Sequence, residues 1–487
     1  MSEEIRNIEP KAIWENFYAL TQIPRPSKKE QKAAAFIKTI GEALKLETIV
    51  DNVGNVIIRK PATPGFENRK TIVLQAHIDM VPQANSGIAF NFETDTIDAY
   101  VHGEWVTARN TTLGADNGIG AATIMGILQA SNLEHGPIEA LFTIDEETGM
   151  TGAIKLKPDM LKADILINLD TEDENEISVG CAGGINVNAT WVFSEDEIVA
   201  GDKAFKISIT GLKGGHSGLD IHLGRGNSCK LMGRFLKKAI SENHVRLASI
   251  NCGNMRNAIP REGFSVITIP QKNVAPFLES VKAFQTIWHN ELGLTEPNLK
   301  IEAVEVEMPS TILPEMVQDD LVNALCAVRN GIIRMSDSMP GVVESSTNLS
   351  IVKSSEGKIE VMCLARSFVD SARDGIASSL ESCFLLAGAK VVISGAYPGW
   401  KPNPESEILA VAKQSFKKVK GIQPKEAAMH AGLECGILGA TYPNWDMISI
   451  GPTIKSPHSP DEKVQINSVA VFWNLLTDIL ANVPEKE

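Results

Sequence analysis

Five side chains in this sequence have the types and the placement to hold metal ions. His77 stands in TIVLQAHIDM, at the end of an apolar run that reads as a buried strand, and Asp79 follows two residues on. ALFTIDEETG ends in the same way on Asp145, Glu146 and Glu147, and ILINLDTED ends on Asp170. NTTLGADNGIG sets Asp116 in the turn ahead of a helix, and ISIGPTIKSPHSPDE sets His458 in the loop after the last strand. Taken singly, each has an ordinary explanation as a solvated acidic loop, an Asp-Asn-Gly turn, a helix cap or a strand-end histidine. Taken together they converge, because open parallel sheets bind ligands just beyond the carboxyl ends of their strands.

Two imidazoles with three carboxylates and no thiolate form a borderline-hard donor set. It suits zinc, with manganese or cobalt able to substitute. Five ligands exceed what one tetrahedral ion with an open position takes. They fit two ions about 4 Å apart that share one carboxylate. On a strand, Asp79 would share a face with His77, where a carboxylate can orient a metal-bound imidazole. Of the adjacent Glu146 and Glu147, one would ligate while the other stays free to take a proton from the attacking water.

The elements that must position these residues alternate along the first part of the chain. Residues 10–24 suit a helix, and Ser27-Lys-Lys-Glu30 reads as a capping box opening a second helix through about Leu46. TIVLQAHIDM, PIEALFTID and KADILINLD are strands, and GIGAATIMGILQASN is a helix after a glycine-rich turn. The pattern predicts an α/β domain with a mostly parallel sheet sandwiched by helices. After about Gly184, KAFKISITGL and KIEVMCLARSF alternate in polarity, and each precedes a helical stretch, which hints at an internal duplication. SEILAVAKQSFKKV, DMISIG and NSVAVFWNLLTDILANV then return to the first pattern. The expected organisation is a catalytic domain over 1–184 and 400–487, with an inserted α+β domain over 185–399.

Bulk composition excludes several function classes. The chain has 487 residues, 43% hydrophobic and 22% charged, and a net charge of 46 − 60 = −14, which disfavours nucleic acid or an anionic membrane as partner. The apolar runs are strand-sized, so no membrane span is expected, and the acidic N-terminal stretch is not a secretory signal. Seven scattered cysteines with no CxxC pair argue for reduced thiols in the cytoplasm and against a thiolate metal site.

In order along nearly the whole chain stand QAHIDMVP, TTLGADNGIG, FTIDEETGMTGA, INLDTED, GGHSGLDIHLGRGN, CLARSFVDS, HAGLECG and GPTIKSPHSPDE. Through these motifs the chain resembles the aminoacyl-histidine dipeptidases (peptidase D, Xaa-His dipeptidases) of the di-zinc aminoacylase/carboxypeptidase/carnosinase superfamily. The resemblance implies two Zn2+ per chain, with Asp116 bridging, His77 and Asp170 completing one site, and Glu147 and His458 the other. It makes Glu146 the general base and acid, and Asp79 the orienting carboxylate. It implies that the inserted domain is a lid, carrying His216 of GGHSG to the scissile carbonyl and Arg366 of CLARS to the substrate carboxylate. His430 and Glu434 of HAGLECG would face the site, with Glu434 as a substrate contact, whereas His222 and Arg225 are read as structural. The implied substrates are dipeptides, β-Ala-His included, and a homodimer through the lid is a further expectation.

The nearest alternative is another amide hydrolase of the superfamily, an aminotripeptidase or an N-acyl amino acid deacylase. A non-catalytic relative would have lost a ligand or Glu146, and neither is lost. A nucleotide-binding dehydrogenase is disfavoured because the turn at Gly114 to Gly120 lacks GxGxxG spacing.

Overall fold

The computed structural model describes residues 2–486. The chain divides into two compact units: one is built from the residues up to Gly180 with Trp400–Ala428 and those from Leu433 on, the other from Cys181–Gly399 with Met429–Gly432.

In the first unit, Ile72–His77, Ile138–Thr143 and Ile165–Asn168 are buried at every position. Such runs form when a strand is covered on both faces. Ile72–His77 pairs in parallel with the strands on either side of it, and Asp446–Ser449 adds in parallel to Ile165–Asn168. The parallel core is thus four strands wide. Val56–Lys60 with Glu47–Val50 on one flank and Glu176–Cys181 on the other are antiparallel, within an eight-stranded mixed sheet. The three parallel pairings put the strand ends His77, Thr143, Asn168 and Ser449 on one edge of the sheet.

The helix Ala115–Gln129 is buried nearly all round. Its last carbonyls would be stranded in that setting. Lys60 Nζ resolves this by donating to Ile127 O (2.7 Å), Leu128 O (3.2 Å) and Ala130 O (2.5 Å). The helices Lys11–Thr21, Glu407–Lys420 and Ile466–Ala481 each bury one stripe of apolar residues, as amphipathic surface helices do.

The second unit follows a different rule. From Ile185 on, the strand Gly183–Val192 alternates buried and more exposed positions, the mark of a sheet with one face packed and one open. Its nine-stranded sheet pairs antiparallel throughout the described registers. Helices Ser228–Asn243, Val274–Leu292 and Asp370–Leu386 bury their apolar sides against it. Two groups of strands meet where Arg246–Cys252 joins Val343–Ser355 through only the pairs Asn251↔Lys353 and Cys252↔Val352. Residues 429–432 join this unit, with the Ala182 N–H donating to Met429 O (3.0 Å) and Ala431 O (3.1 Å). Among the described residues no helix is long and apolar enough to cross a membrane.

Candidate metal centre

His77 closes its strand and is 1% exposed. Its Nε2 lies 3.0 Å from Asp116 Oδ1 and 3.5 Å from Asp170 Oδ1. The other oxygen of Asp116, Oδ2, lies 3.0 Å from His458 Nε2, which is also 3.0 Å from Glu147 Oε2. The five expected ligands therefore sort into two groups, His77, Asp116, Asp170 and Asp116, Glu147, His458, with donor atoms in each within 4.8 Å of one another. The two oxygens of Asp116 join them.

Local backbone explains how Asp116 reaches both. Asp116 (φ −80°, ψ 109°) and Asn117 (φ −105°, ψ 31°) are not helical, so the regular helix starts only after them; the peptide between them is cis. Asn117 Nδ2 donates to Leu169 O (2.9 Å) and to Asp170, tying this turn to the next strand end. Gly120 permits that approach, since a Cβ there would sit 1.9 Å from Asn117 Oδ1 and 2.7 Å from Leu169 O.

Asp79 lies just past the strand rather than on it, yet its Oδ1 is 3.3 Å from His77 Nδ1. The same carboxylate accepts the N–H of Glu146 (3.0 Å) and of Glu147 (3.2 Å), which open the short helix Glu146–Gly149. One group thus orients an imidazole and both glutamates. Ser27 Oγ donates to it at 2.8 Å.

That bond corrects the expected capping box. Helix Gln31–Ala43 begins without a side-chain cap, and Glu30 Oε1 instead accepts the N–H of Lys28 (2.6 Å) and of Asp145 (3.1 Å). Unpaired groups at a buried site cost more than the open end of a solvated helix, so Ser27 and Glu30 serve the former. Sequence reasoning missed both as site-supporting residues, because the local pattern pointed elsewhere.

A buried polar layer lies under the ligands. Asn168 Nδ2 donates to Gln75 Oε1 (2.6 Å), and its Oδ1 accepts the Asp170 N–H (3.2 Å). Gln75 Nε2 and Thr143 Oγ1 donate to Glu434 Oε2 at 2.6 and 2.8 Å. Glu434 is buried, and its Oε1 has no hydrogen-bond partner among the described residues. Its expected contact with substrate rests on that oxygen alone. Burial pushes its pKa up to about 7.

Electrostatics mark the cluster as short of positive charge. Burial alone would lower the pKa of His77, but Asp170, Asp116 and Asp79 outweigh it and hold the imidazole well above its ordinary value. Asp116 and Glu147 raise His458 to about 11. Burial raises Glu147, and it raises Glu146 strongly, with Asp170, Glu434 and Glu147 adding to the effect on Glu146 and His77 opposing it. Asp79 resists burial through bonds from His77, the Glu146 N–H and Ser27, which bring it down to about 2. Glu147 Oε1 is buried with no hydrogen-bond partner among the described residues. Divalent cations among these donors would replace the missing charge.

The second unit gathers the other expected residues. His216 Nδ1 accepts the N–H of Gly218 (3.1 Å) and of Leu219 (2.9 Å), so a neutral ring carries its proton on Nε2. Burial and the Arg366 charge lower its pKa. Arg366 is 4% exposed, donates to Tyr397 Oη (2.9 Å), and has no carboxylate within 4.0 Å among the described residues. His430 Nε2 is 2.7 Å from Ser346 Oγ, and burial with Arg366 brings its pKa down to about 3. Arg225 bonds Gly214 O (2.5 Å) and pairs with Asp220, in keeping with a structural part.

Residues 73–482 match the family model of peptidase family M20/M25/M40. Over 483 residues the chain is 44% identical to the cytosol non-specific dipeptidase of Escherichia coli (strain K12), covering 99% of this chain and 100% of the relative. The structure is similar to that of the aminoacylhistidine dipeptidase from Vibrio alginolyticus, with a TM-score of 0.95, 46% identity and 100% of each chain covered. It also shares its fold with the aminopeptidase PepT from Bacillus cereus, at a TM-score of 0.58 and 16% identity over 98% of this chain and 99% of that one.

Proposed function

The chain belongs to peptidase family M20/M25/M40 and is a hydrolase, and within that family we propose that it is a cytoplasmic dipeptidase, cleaving free dipeptides, Xaa-His among them, with two zinc ions. The single observation that carries this reading is the pair of three-residue groups joined through the two oxygens of Asp116. The nitrogen and oxygen donor set and the unpartnered buried oxygen of Glu147 suit zinc, with manganese or cobalt as substitutes. When bound, two such cations polarise a peptide carbonyl and make water a stronger nucleophile at neutral pH.

The chain's own groups supply the rest. Glu146 takes the proton of the attacking water and passes it to the leaving amine. Asp79 fixes Glu146 through its backbone N–H and fixes the ring of His77. His216 offers its Nε2–H to the developing oxyanion. Arg366, buried without a counter-ion, pairs with the substrate carboxylate, which sets the length of peptide accepted. The names of the two relatives at 44 and 46% identity support a dipeptide substrate, and the first also supports the cytosol.

Side-by-side assay of Ala-His, β-Ala-His, a tripeptide and an N-acetyl amino acid tests the substrate class. Fastest turnover on a dipeptide is expected. Faster turnover of the tripeptide would favour an aminotripeptidase, and of the N-acetyl amino acid a deacylase.

A further inference from the structure

Glu462 lies four residues beyond His458 and is 2% exposed. Both of its oxygens are fully engaged. Oε2 accepts the N–H of Leu113 (2.8 Å) and Gly114 (2.9 Å), and Oε1 those of Ala115 (2.7 Å) and Asp116 (3.2 Å). Four successive amides thus close on one carboxylate, and the last belongs to the residue shared by both ligand groups. Successive N–H groups turned to one side form a concave anion site, and here the anion is part of the chain.

From another side Arg25, also buried, grips the same turn. It donates to Gly114 O at 2.6 Å, and to Ile78 O and Asp79 O at 3.1 and 3.0 Å. Gly114 has φ 71°, and a Cβ there would meet the guanidinium at 2.6 Å, so a side chain would break this contact. One buried anion and one buried cation therefore hold the backbone of 113–116 between the end of the His77 strand and the His458 loop.

We propose that Glu462 is a positioning residue for the two-cation centre, fixing the 113–116 turn so that Asp116 presents one oxygen to each cation. The proposal rests on the dinuclear reading above. A bridging carboxylate must place both oxygens at once, and a turn held by Arg25 alone after loss of its acceptor places them less well. Only three residues separate His458 from Glu462, so the same anchor sets the distance between His458 and Asp116, which stand in one ligand group. Loss of Glu462 therefore weakens the His458 cation more than the His77 cation.

Glu296 provides the control for a merely structural effect. It is 1% exposed in the second unit and accepts the N–H of Lys213 (2.8 Å) and Gly226 (2.9 Å), with no metal-ligand candidate attached. Co2+ is titrated into the full-length metal-free protein against a competing chelator, reading affinity and the visible d–d bands, with thermal melts in parallel. Glu462→Gln should weaken one of the two cations by roughly 10- to 100-fold, the usual scale for a group that orients a ligand, and alter its bands. Glu462→Asp, which keeps the charge and both acceptors on a shorter arm, should recover part of this. Glu296→Gln should melt lower yet bind cobalt as the wild type does. A folded Glu462→Gln with wild-type affinity for both cations would overturn the proposal, as would an equal loss in Glu296→Gln. If Glu462→Gln does not fold, wild-type affinity in Glu462→Asp overturns it instead. A wild type that takes up no cation would remove the dinuclear reading itself, a result distinct from either.

Discussion

The two regions that carry unusual chemistry are opposite in sign. At the strand ends of the first unit, three carboxylates and two imidazoles crowd together, and the carboxylates raise the pKa of both imidazoles. In the second unit Arg366 is buried without a carboxylate partner among the described residues, beside two histidines whose pKa values are lowered, His216 and His430. Leaving a buried charge uncompensated costs roughly 3–5 kcal/mol, so on the proposed reading each region would be completed by a ligand of the opposite sign. The contrast fits the proposal of metal cations at the first and an anionic group of the substrate at the second.

The comparison can be broken at either end, and the largest effect should come from the acidic one. Glu146→Gln keeps the shape of the side chain and the metal ligands but cannot accept a proton. It should retain both metals and lose on the order of 10³-fold or more in kcat. A variant within tenfold of wild type would take Glu146 out of the mechanism.

At the basic end, Arg366→Ala should cost roughly 2–4 kcal/mol, about 30- to 1000-fold in kcat/KM, on free dipeptides. It should do far less to the already slow cleavage of dipeptide amides, which offer no anion. His216→Ala should depress both substrate types alike, since its Nε2–H is assigned to the carbonyl. Equal losses on acids and amides for Arg366→Ala would make it a structural residue.

Smaller in rate terms but sharper in assignment are the ligand variants. His77→Ala and His458→Ala should each lose about one metal per chain, as each imidazole serves a different cation. Two-metal content in either would contradict the division through Asp116.

The subtlest consequence concerns protons. His458, at about 11, and His77, also raised, remain protonated at neutral pH without metal, and both must be neutral to ligate. Zinc loading should therefore release protons, and apparent affinity should rise with pH through neutrality. Calorimetric titrations in buffers of different ionisation enthalpy count them; zero release would mean that the imidazoles were already neutral.

The end with the candidate metal ligands was the more legible of the two in the sequence. Buried strands announce themselves as continuous apolar runs, and a polar residue that stops such a run stands at or just past the strand's end, as His77 does at the end of its strand and Asp170 two residues beyond Asn168. The supporting contacts were not legible. Ser27 meets Asp79, and Glu462 meets Leu113 to Asp116, across dozens to hundreds of residues, and no local periodicity records such bonds. Ser27 and Glu30 were worse than silent, because a capping-box spacing offered a nearer explanation. The return of 429–432 to the second unit was hidden in the same way, since its bonds to Ala182 connect distant stretches of chain.

Counting metal against activity tests the central claim most directly. The chelated protein is titrated with zinc while bound metal and Ala-His hydrolysis are measured on the same samples. The dinuclear account predicts no hydrolysis without metal, a plateau at two zinc per chain, and full activity only at that plateau. Full activity at one zinc per chain, or hydrolysis that survives complete removal of metal, would contradict it.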